Sequence, residues 1–291
     1  MTVFNLGSIN ADLFYQVPHL LAPGETLAAT AHNRGLGGKG ANMSVAIARA
    51  AARVVHIGAV GTDGRWAVER LLEYGVDTRH ISEVSEATGH AIIMVDPQGE
   101  NAILIHPGAN STVLETHIEA VLKDASDGDT FLFQNETSAQ REGAALASAR
   151  GLRVVYAAAP FDADAVRAVL PMLDMLVMNA VEAEQLSASL KVALPDLPVR
   201  DVIVTLGGEG CRWLNTDLGT DTQFPAIPVA PVDTTGAGDT FTGFLIAGLD
   251  RGLPMEQAIS LGQQAGAIMV TRRGTADVIP DLKDIEDARL A

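Results

Sequence analysis

Asp233-Thr234-Thr235-Gly236-Ala237-Gly238-Asp239-Thr240-Phe241 is the stretch whose residue types could do chemistry: three small residues in a row, then a carboxylate, then an apolar run. Phe241, Phe244, Leu245, Gly248 and Leu249 recur at helical spacing and Arg251-Gly252 supplies a stop, so a helix is expected to begin near Gly238. A helix N-terminus offers unpaired N–H groups and the positive end of the macrodipole, and small residues let a phosphate come close. Asp239 would repel that phosphate. It makes sense there as the base that takes a proton from a hydroxyl attacking the phosphorus. The same residues also suit an ordinary tight turn with an acidic first helical turn, and the motif alone leaves both readings open.

A second glycine-rich stretch, Gly35-Leu36-Gly37-Gly38-Lys39-Gly40-Ala41-Asn42, precedes an alanine-rich segment, 41–52, expected to be a buried helix. Gly35, Gly37 and Gly40 match a dinucleotide fingerprint in letters, but no buried strand precedes them. A Walker A loop fails as well, because Gly40 stands where Ser or Thr should bind magnesium. What is left is a flexible turn presenting Lys39 and Asn42, polar groups suited to hydroxyls. Asn10 and Asp12 follow the apolar run 3–6 and, two apart, face the same way if extended. Turn chemistry would account for them equally well.

These groups need a scaffold, and from residue 112 onward helix and strand patterns alternate. Helices are expected at 112–123, 139–150, 163–170 and 181–186, and strands at 130–133, 154–157, 175–178 and 202–205; 187–199 reads as an irregular connection. Such alternation implies an α/β fold with a mostly parallel central sheet between helical layers and ligands at the carboxyl ends of its strands. Glu136, Asn179, Glu182 and Thr205-Leu206-Gly207 fall at those ends. Each could be a helix cap; four aimed at one edge suggest a site. Earlier, strand 54–60 precedes a helix at 66–74. Two short β runs, 88–95 and 101–105, flank the turn Asp96-Pro97-Gln98-Gly99 and, with 13–35, are expected to form a small β lid on a single domain spanning 1–291.

The chain has 291 residues, 47% of them hydrophobic, enough for a sizeable core. Its net charge of −16 argues against nucleic-acid and anionic-membrane partners, so a nucleotide would need a metal cation and local backbone donors. Cys211 is the single cysteine, excluding an internal disulfide, and no run of about 18 apolar residues occurs. The expectation is a soluble cytoplasmic protein.

Taken together, the motifs resemble the ribokinase-like (PfkB) family of carbohydrate kinases along essentially the whole chain. The resemblance is carried by Gly7-Ser8-Ile9-Asn10-Ala11-Asp12, Pro23-Gly24-Glu25-Thr26, Gly37 to Asn42, Glu100-Asn101 through His106-Pro107-Gly108-Ala109-Asn110, Asn179-x-x-Glu182, Thr205-Leu206-Gly207 and Asp233 to Asp239, in that order. It implies an ATP-dependent sugar kinase with Asp239 as base and the amides of Gly236, Ala237 and Gly238 as an anion hole. Sugar hydroxyls would be held by Asn10, Asp12, Gly38, Lys39, Asn42, Glu136 and Asp239. ATP would be held by Asn179, Glu182, Thr205, Gly207, Gly210, Gly238 and Gln263, with Mg²⁺ at Glu182. The family's activating K⁺ would lie among oxygens of Asp233, Thr235, Met269, Arg272 and Gly274. Val278 stands where relatives carry a serine, and His90 where the lid carries an apolar residue. The resemblance implies phosphorylation of a primary hydroxyl, D-ribose to ribose 5-phosphate foremost, with fructose, another sugar or a nucleoside as alternatives. A small sheet with an exposed face and free edges should close over the sugar or pair with a second copy, and a homodimer joined through the lid is expected. A non-catalytic sugar or nucleotide sensor on the same fold would be expected to lose the base or the glycines; this chain keeps both.

Overall fold

The computed structural model describes residues 1–288. In chain order its elements are β1 (Thr2–Leu6), β2 (Asn10–Gln16), β3 (Ala31–Gly37), α1 (Lys39–Arg49), β4 (Arg53–Gly61), α2 (Arg65–Glu73), β5 (Asp77–Val84), β6 (Gly89–Val95), β7 (Asn101–His106), α3 (Glu115–Val121) and β8 (Thr130–Gln134). There follow α4 (Gln140–Ala149), β9 (Arg153–Ala157), α5 (Ala163–Val169), β10 (Met175–Asn179), α6 (Ala180–Leu190), β11 (Asp201–Thr205), β12 (Cys211–Asn215), β13 (Thr220–Phe224), α7 (Ala237–Asp250), α8 (Met255–Met269) and α9 (Leu282–Ala288).

Short runs that are apolar at nearly every position make strands covered on both faces, and β1, β4, β8, β9, β10 and β11 are of this kind. They form a nine-stranded sheet in the order β13-β12-β11-β10-β9-β8-β1-β4-β5, parallel from β5 to β11, with β12 and β13 antiparallel at one edge. Alternate residues point into two cores. Val3, Leu132 and Val155 pack with α1, α2, α7 and α8, whereas Phe4, Phe131 and Tyr156 pack with α3, α4, α5 and α6. This is the expected α/β sandwich of three layers. A separate four-stranded sheet, β3-β2-β6-β7, accompanies it. None of the described helices is long and apolar enough to cross a membrane.

The chain runs from β1 to β4 on one side and later to β8 on the other, so the order switches between β1 and β8, where a crevice opens at the strands' carboxyl ends. Two close approaches bring the helices that matter to that crevice. A Cβ on Gly40 would lie 2.3 Å from Gly7 Cα, so the first turn of α1 rests on the chain leaving β1. A Cβ on Gly243 would lie 2.4 Å from Ala46 Cβ, so α7 crosses α1 at a separation only small residues allow. The alanine-rich character of α1 is thus explained: it lets the N-termini of α1 and α7 sit side by side.

A buried polar network fixes α1 against the sheet. Asn5 Nδ2 donates to Gly40 O and to Ser44 Oγ, both at 2.8 Å, and Gln134 Nε2 donates to Asn5 Oδ1 at 2.9 Å. His56 is fully buried, which pushes its imidazole down to about 4 and keeps it neutral. Since Gly7 O can only accept, His56 Nε2–H donates to it (3.1 Å), and Nδ1 accepts from the Ser44 hydroxyl (2.8 Å).

Several boundaries differ from the sequence expectation, for local reasons. The helix expected at 112–123 is a 3-10 turn (Gly108–Thr112) followed by the shorter α3, because Val113 and Leu114 are extended. α6 runs on to Leu190, into the stretch read as irregular, and Lys191 ends it in the left-handed region. α7 begins one residue early, at Ala237, with Gly236 at φ 74 preceding it, a conformation glycine adopts without cost.

Candidate active site

The N-terminus of α7 presents Asp239, buried to 7% exposure, and Asn42 Nδ2 on the first turn of α1 donates to its Oδ2 at 2.9 Å. The other end of that amide, Asn42 Oδ1, is buried without a partner among the described residues. It is an acceptor with unused capacity. Ala237 N–H is engaged by Thr234 O (3.2 Å), whereas the N–H groups of Gly236 and Gly238 make no hydrogen bond among the described residues. The turn therefore holds free donors and a carboxylate within one helical turn.

Opposite lies an acidic cluster around one lysine. Asn10 and Asp12 are buried on the same face of β2, as their spacing required. Asp12 packs on Gly37, where a Cβ would lie 2.0 Å from its Oδ2. Glu136, beyond β8, accepts from the Ser8 hydroxyl and from Lys39 N–H (3.1 Å), so it caps α1 as well as facing the crevice. Burial, with Glu136 and Asp239 nearby, pushes Asp12 up to about 7. Burial raises Glu136 too, against the pull of Lys39. Lys39 is held above its ordinary value, chiefly by Asp239, and stays charged. Gly38, at φ 93, turns the chain from β3 into α1.

A cavity of about 710 Å³ extends from Asp239 and Lys39 along the carboxyl ends of β10 and β11. Asn179, Glu182, Thr205, Gly207, Gly210, Gly238 and Gln263 all line it. Asn179 and Glu182 form a reciprocal capping box, Asn179 Oδ1 accepting from Glu182 N–H (2.9 Å) and Glu182 Oε2 from Asn179 N–H (2.7 Å). Capping and lining are one arrangement here, since the box aims Glu182 at the cavity; burial raises its pKa. Gln263 is a strut: its Nε2 donates to Phe224 O and Pro225 O (3.2 and 3.0 Å). The segment it holds continues into Ala226, Ile227, Pro228 and Val229, an apolar wall of the cavity. Its only sequence signal is the Pro/apolar run itself.

The residues assigned to a monovalent cation come from the segment before α7 and from the end of α8 with the turn that follows it, and Asp233 ties the two together. Its Oδ1 accepts from Thr235 N–H (2.9 Å) and its Oδ2 from Gly274 N–H (3.3 Å). Arg272 sends its side chain elsewhere, to Val278 O and Asp284, leaving only its carbonyl for such a role. Met269 O already accepts from Arg272 N–H (3.0 Å). A carboxylate and backbone carbonyls are an all-oxygen set that fits a hard cation. His90 pairs in register with Ala11, on the face of the small sheet opposite Asn10 and Asp12, and packs on His106 with ring centroids 5.2 Å apart.

Across this whole arrangement, residues 2–282 match the model of the pfkB family carbohydrate kinases. The chain belongs to that family. As a pfkB kinase it is a phosphotransferase acting on a carbohydrate. It is 35% identical over 294 residues to the ribokinase of Haemophilus influenzae, covering 96% of this chain and 95% of that one. The ribokinase structure from Thermotoga maritima superposes with a TM-score of 0.88 at 31% identity, covering 99% and 98% of the two chains. The Arabidopsis thaliana ribokinase complexed with ribose and ATP superposes with a TM-score of 0.83 at 28% identity, covering 98% and 97%.

Proposed function

We propose that this pfkB kinase transfers the γ-phosphoryl group of ATP to the primary hydroxyl of D-ribose, giving ribose 5-phosphate. The observation that carries this reading is the Asn42–Asp239 contact, which holds a carboxylate where the acidic, hydroxyl-binding crevice meets the long cavity. Ribose is favoured over other sugars by the named ribokinase relatives, and the pairing of Asn10 with Asp12 on one strand face suits two adjacent hydroxyls, which ribose offers.

In this mechanism the sugar lies against Asn10, Asp12, Gly38, Lys39, Asn42 and Glu136, and its attacking hydroxyl gives its proton to Asp239. Asn42 holds Asp239 in orientation, and the free amides of Gly236 and Gly238 are the donors for the transferring group; Ala237 N–H joins them only by giving up its bond to Thr234 O. Phosphoryl transfer is largely positioning and charge stabilisation, and these groups supply both. Glu182 is the cavity carboxylate for Mg²⁺, which commonly takes one or two protein carboxylates together with nucleotide phosphates. Bound there, the metal would neutralise charge on those phosphates. Asn179, Thr205, Gly207, Gly210 and Gln263 shape the nucleotide end. A panel of sugars and nucleosides in a coupled ADP-release assay tests the assignment. Turnover with D-ribose at least about tenfold above the others in kcat/KM is expected; a nucleoside or hexose leading the panel would overturn it.

Asp233, Thr235, Met269, Arg272 and Gly274 form the K⁺ site in this reading. The Val278 methyl groups lie 3.5 and 3.6 Å from the position of a Cβ on Gly274, so a serine at 278 would bring a hydroxyl beside those ligands. K⁺ is therefore expected to raise kcat more than sugar affinity, with a lower half-saturating concentration in Val278→Ser. Potassium titration in a sodium-free buffer checks this, and equal activity without K⁺ would sink it.

The small sheet, whose strands β2 and β3 reach beyond the expected 13–35 at both ends, to Asn10 and Gly37, is also the proposed dimer surface. Its edge strand β7 exposes Ile103, Leu104 and Ile105 at 55, 65 and 53%, an apolar edge suited to a second copy. Light scattering at micromolar concentration should give twice the chain mass, and a Leu104→Lys variant should give the monomer. A wild-type monomer would count against the surface.

A further inference from the structure

Asn110 lies outside the crevice, in the 3-10 turn after β7, and is 1% exposed. Its amide orientation is dictated by two backbone groups whose roles admit no exchange. Ile9 N–H can only donate, and it donates to Asn110 Oδ1 at 2.9 Å. Ile9 O can only accept, and Asn110 Nδ2 faces it at 3.4 Å. The same Nδ2 then donates to Asn10 Oδ1 at 2.8 Å. Asn10 is thereby oriented in turn: its oxygen is taken, and its Nδ2 is the end left for a ligand on the strand face shared with Asp12.

Gly89 pairs with Asn10 in register, and a Cβ there would lie 2.2 Å from Asn110 Nδ2 and 2.5 Å from Asn10 Oδ1. Any larger residue would intrude on the bond between the two amides. The arrangement therefore depends on three residues from three separate segments, β2, β6 and the turn after β7. None of this is visible from spacing in the chain.

We propose that Asn110 is a positioning residue for sugar specificity: it locks Asn10 with its N–H groups toward the sugar, beside an acceptor, the Asp12 carboxylate. A hydroxyl between them accepts from Asn10 and donates to Asp12, using both of its capacities. A methylene in its place leaves a buried donor and a buried carboxylate unpaired, the situation that lets an enzyme reject an analogue lacking one hydroxyl. Without Asn110 the Asn10 amide can turn over. The requirement for that hydroxyl then relaxes.

The test compares kcat/KM for the accepted sugar and for each of its monodeoxy derivatives in wild type, Asn110→Ala, Asn10→Ala and the double variant, with melting temperatures alongside. Wild type is expected to lose at least about a hundredfold on one deoxy derivative. Asn110→Ala should shrink that ratio about tenfold while the KM for ATP stays within about threefold. In the Asn10→Ala background the further change should vanish, because Asn110 acts only through Asn10. Asn110→Asp, assayed ionised, keeps an acceptor for Ile9 N–H but has no donor for Asn10, and serves if the alanine variant does not fold. A purely structural Asn110 would lower activity on all sugars alike. An unchanged ratio, or an effect that persists undiminished without Asn10, overturns the inference. The inference rests on the sugar-kinase reading: a wild type that turns over no sugar defeats both, whereas an active wild type with an unchanged ratio in the variants defeats this inference alone.

Discussion

Asp239→Asn is expected to leave the chain folded and able to bind ATP while the turnover number falls by at least about a hundredfold, the scale of losing a general base. The substitution keeps shape and keeps an oxygen that can accept from Asn42 Nδ2, so the contact between α1 and α7 survives. It removes only the capacity to take a proton and one negative charge. That charge sits at the first turn of α7, where an acid stabilises the helix by about 0.3–1 kcal/mol, so a small fall in melting temperature is also expected. Loss of the charge also relieves repulsion of the incoming phosphoryl group, and ATP affinity should hold or improve slightly. Steady-state kinetics at saturating sugar and ATP, with a separate nucleotide titration, separate these effects. A variant with near-normal turnover would remove Asp239 from the proposed chemistry.

The glycine turn before Asp239 could be read in the sequence because its signal is local: small residues, an acid and a helical apolar stripe lie within one stretch. The strand–helix alternation was legible for the same reason, since β8 to β11 are runs buried on both faces. β5 carries no such signal. Its sequence, Asp77-Thr78-Arg79-His80-Ile81-Ser82-Glu83-Val84, lies at the edge of the sheet and is only partly buried, so it reads as polar. Asn5, Ser44 and His56 were silent for another reason: each is a lone polar residue in an apolar run, and only their meeting across β1, α1 and β4 gives them partners. Asn110 belongs with them. Polar networks built from distant segments leave no periodicity in the chain.

The acidic crevice gives the second large effect, a fall in sugar affinity of roughly 50- to 100-fold between pH 7 and pH 5, measured by titrating sugar without nucleotide. Asp12 is pushed up to about 7 by burial and by Glu136 and Asp239, so below that pH the sugar-free enzyme carries a proton there. A protonated carboxyl loses the charge that strengthens its bonds to hydroxyls and turns one of its acceptor oxygens into a donor, so tight binding must displace the proton, at about tenfold per pH unit. The same proton sets the sign of the stability change. The folded state holds it more tightly than the unfolded chain, whose Asp ionises near 4. Between pH 4 and 7, therefore, unfolding releases a proton and the sugar-free protein loses stability as pH rises; above 7 both states are ionised and the slope ends. Sugar should oppose this trend, because it binds the ionised form. A variant assigns the step to Asp12. Asp12→Asn should bind sugar weakly at every pH, with the step near 7 removed from both the affinity and the melting profile. A wild-type affinity that is flat from pH 5 to 7 would break the link between Asp12 and the sugar, and a step that survives in Asp12→Asn would assign it to another carboxylate of the cluster.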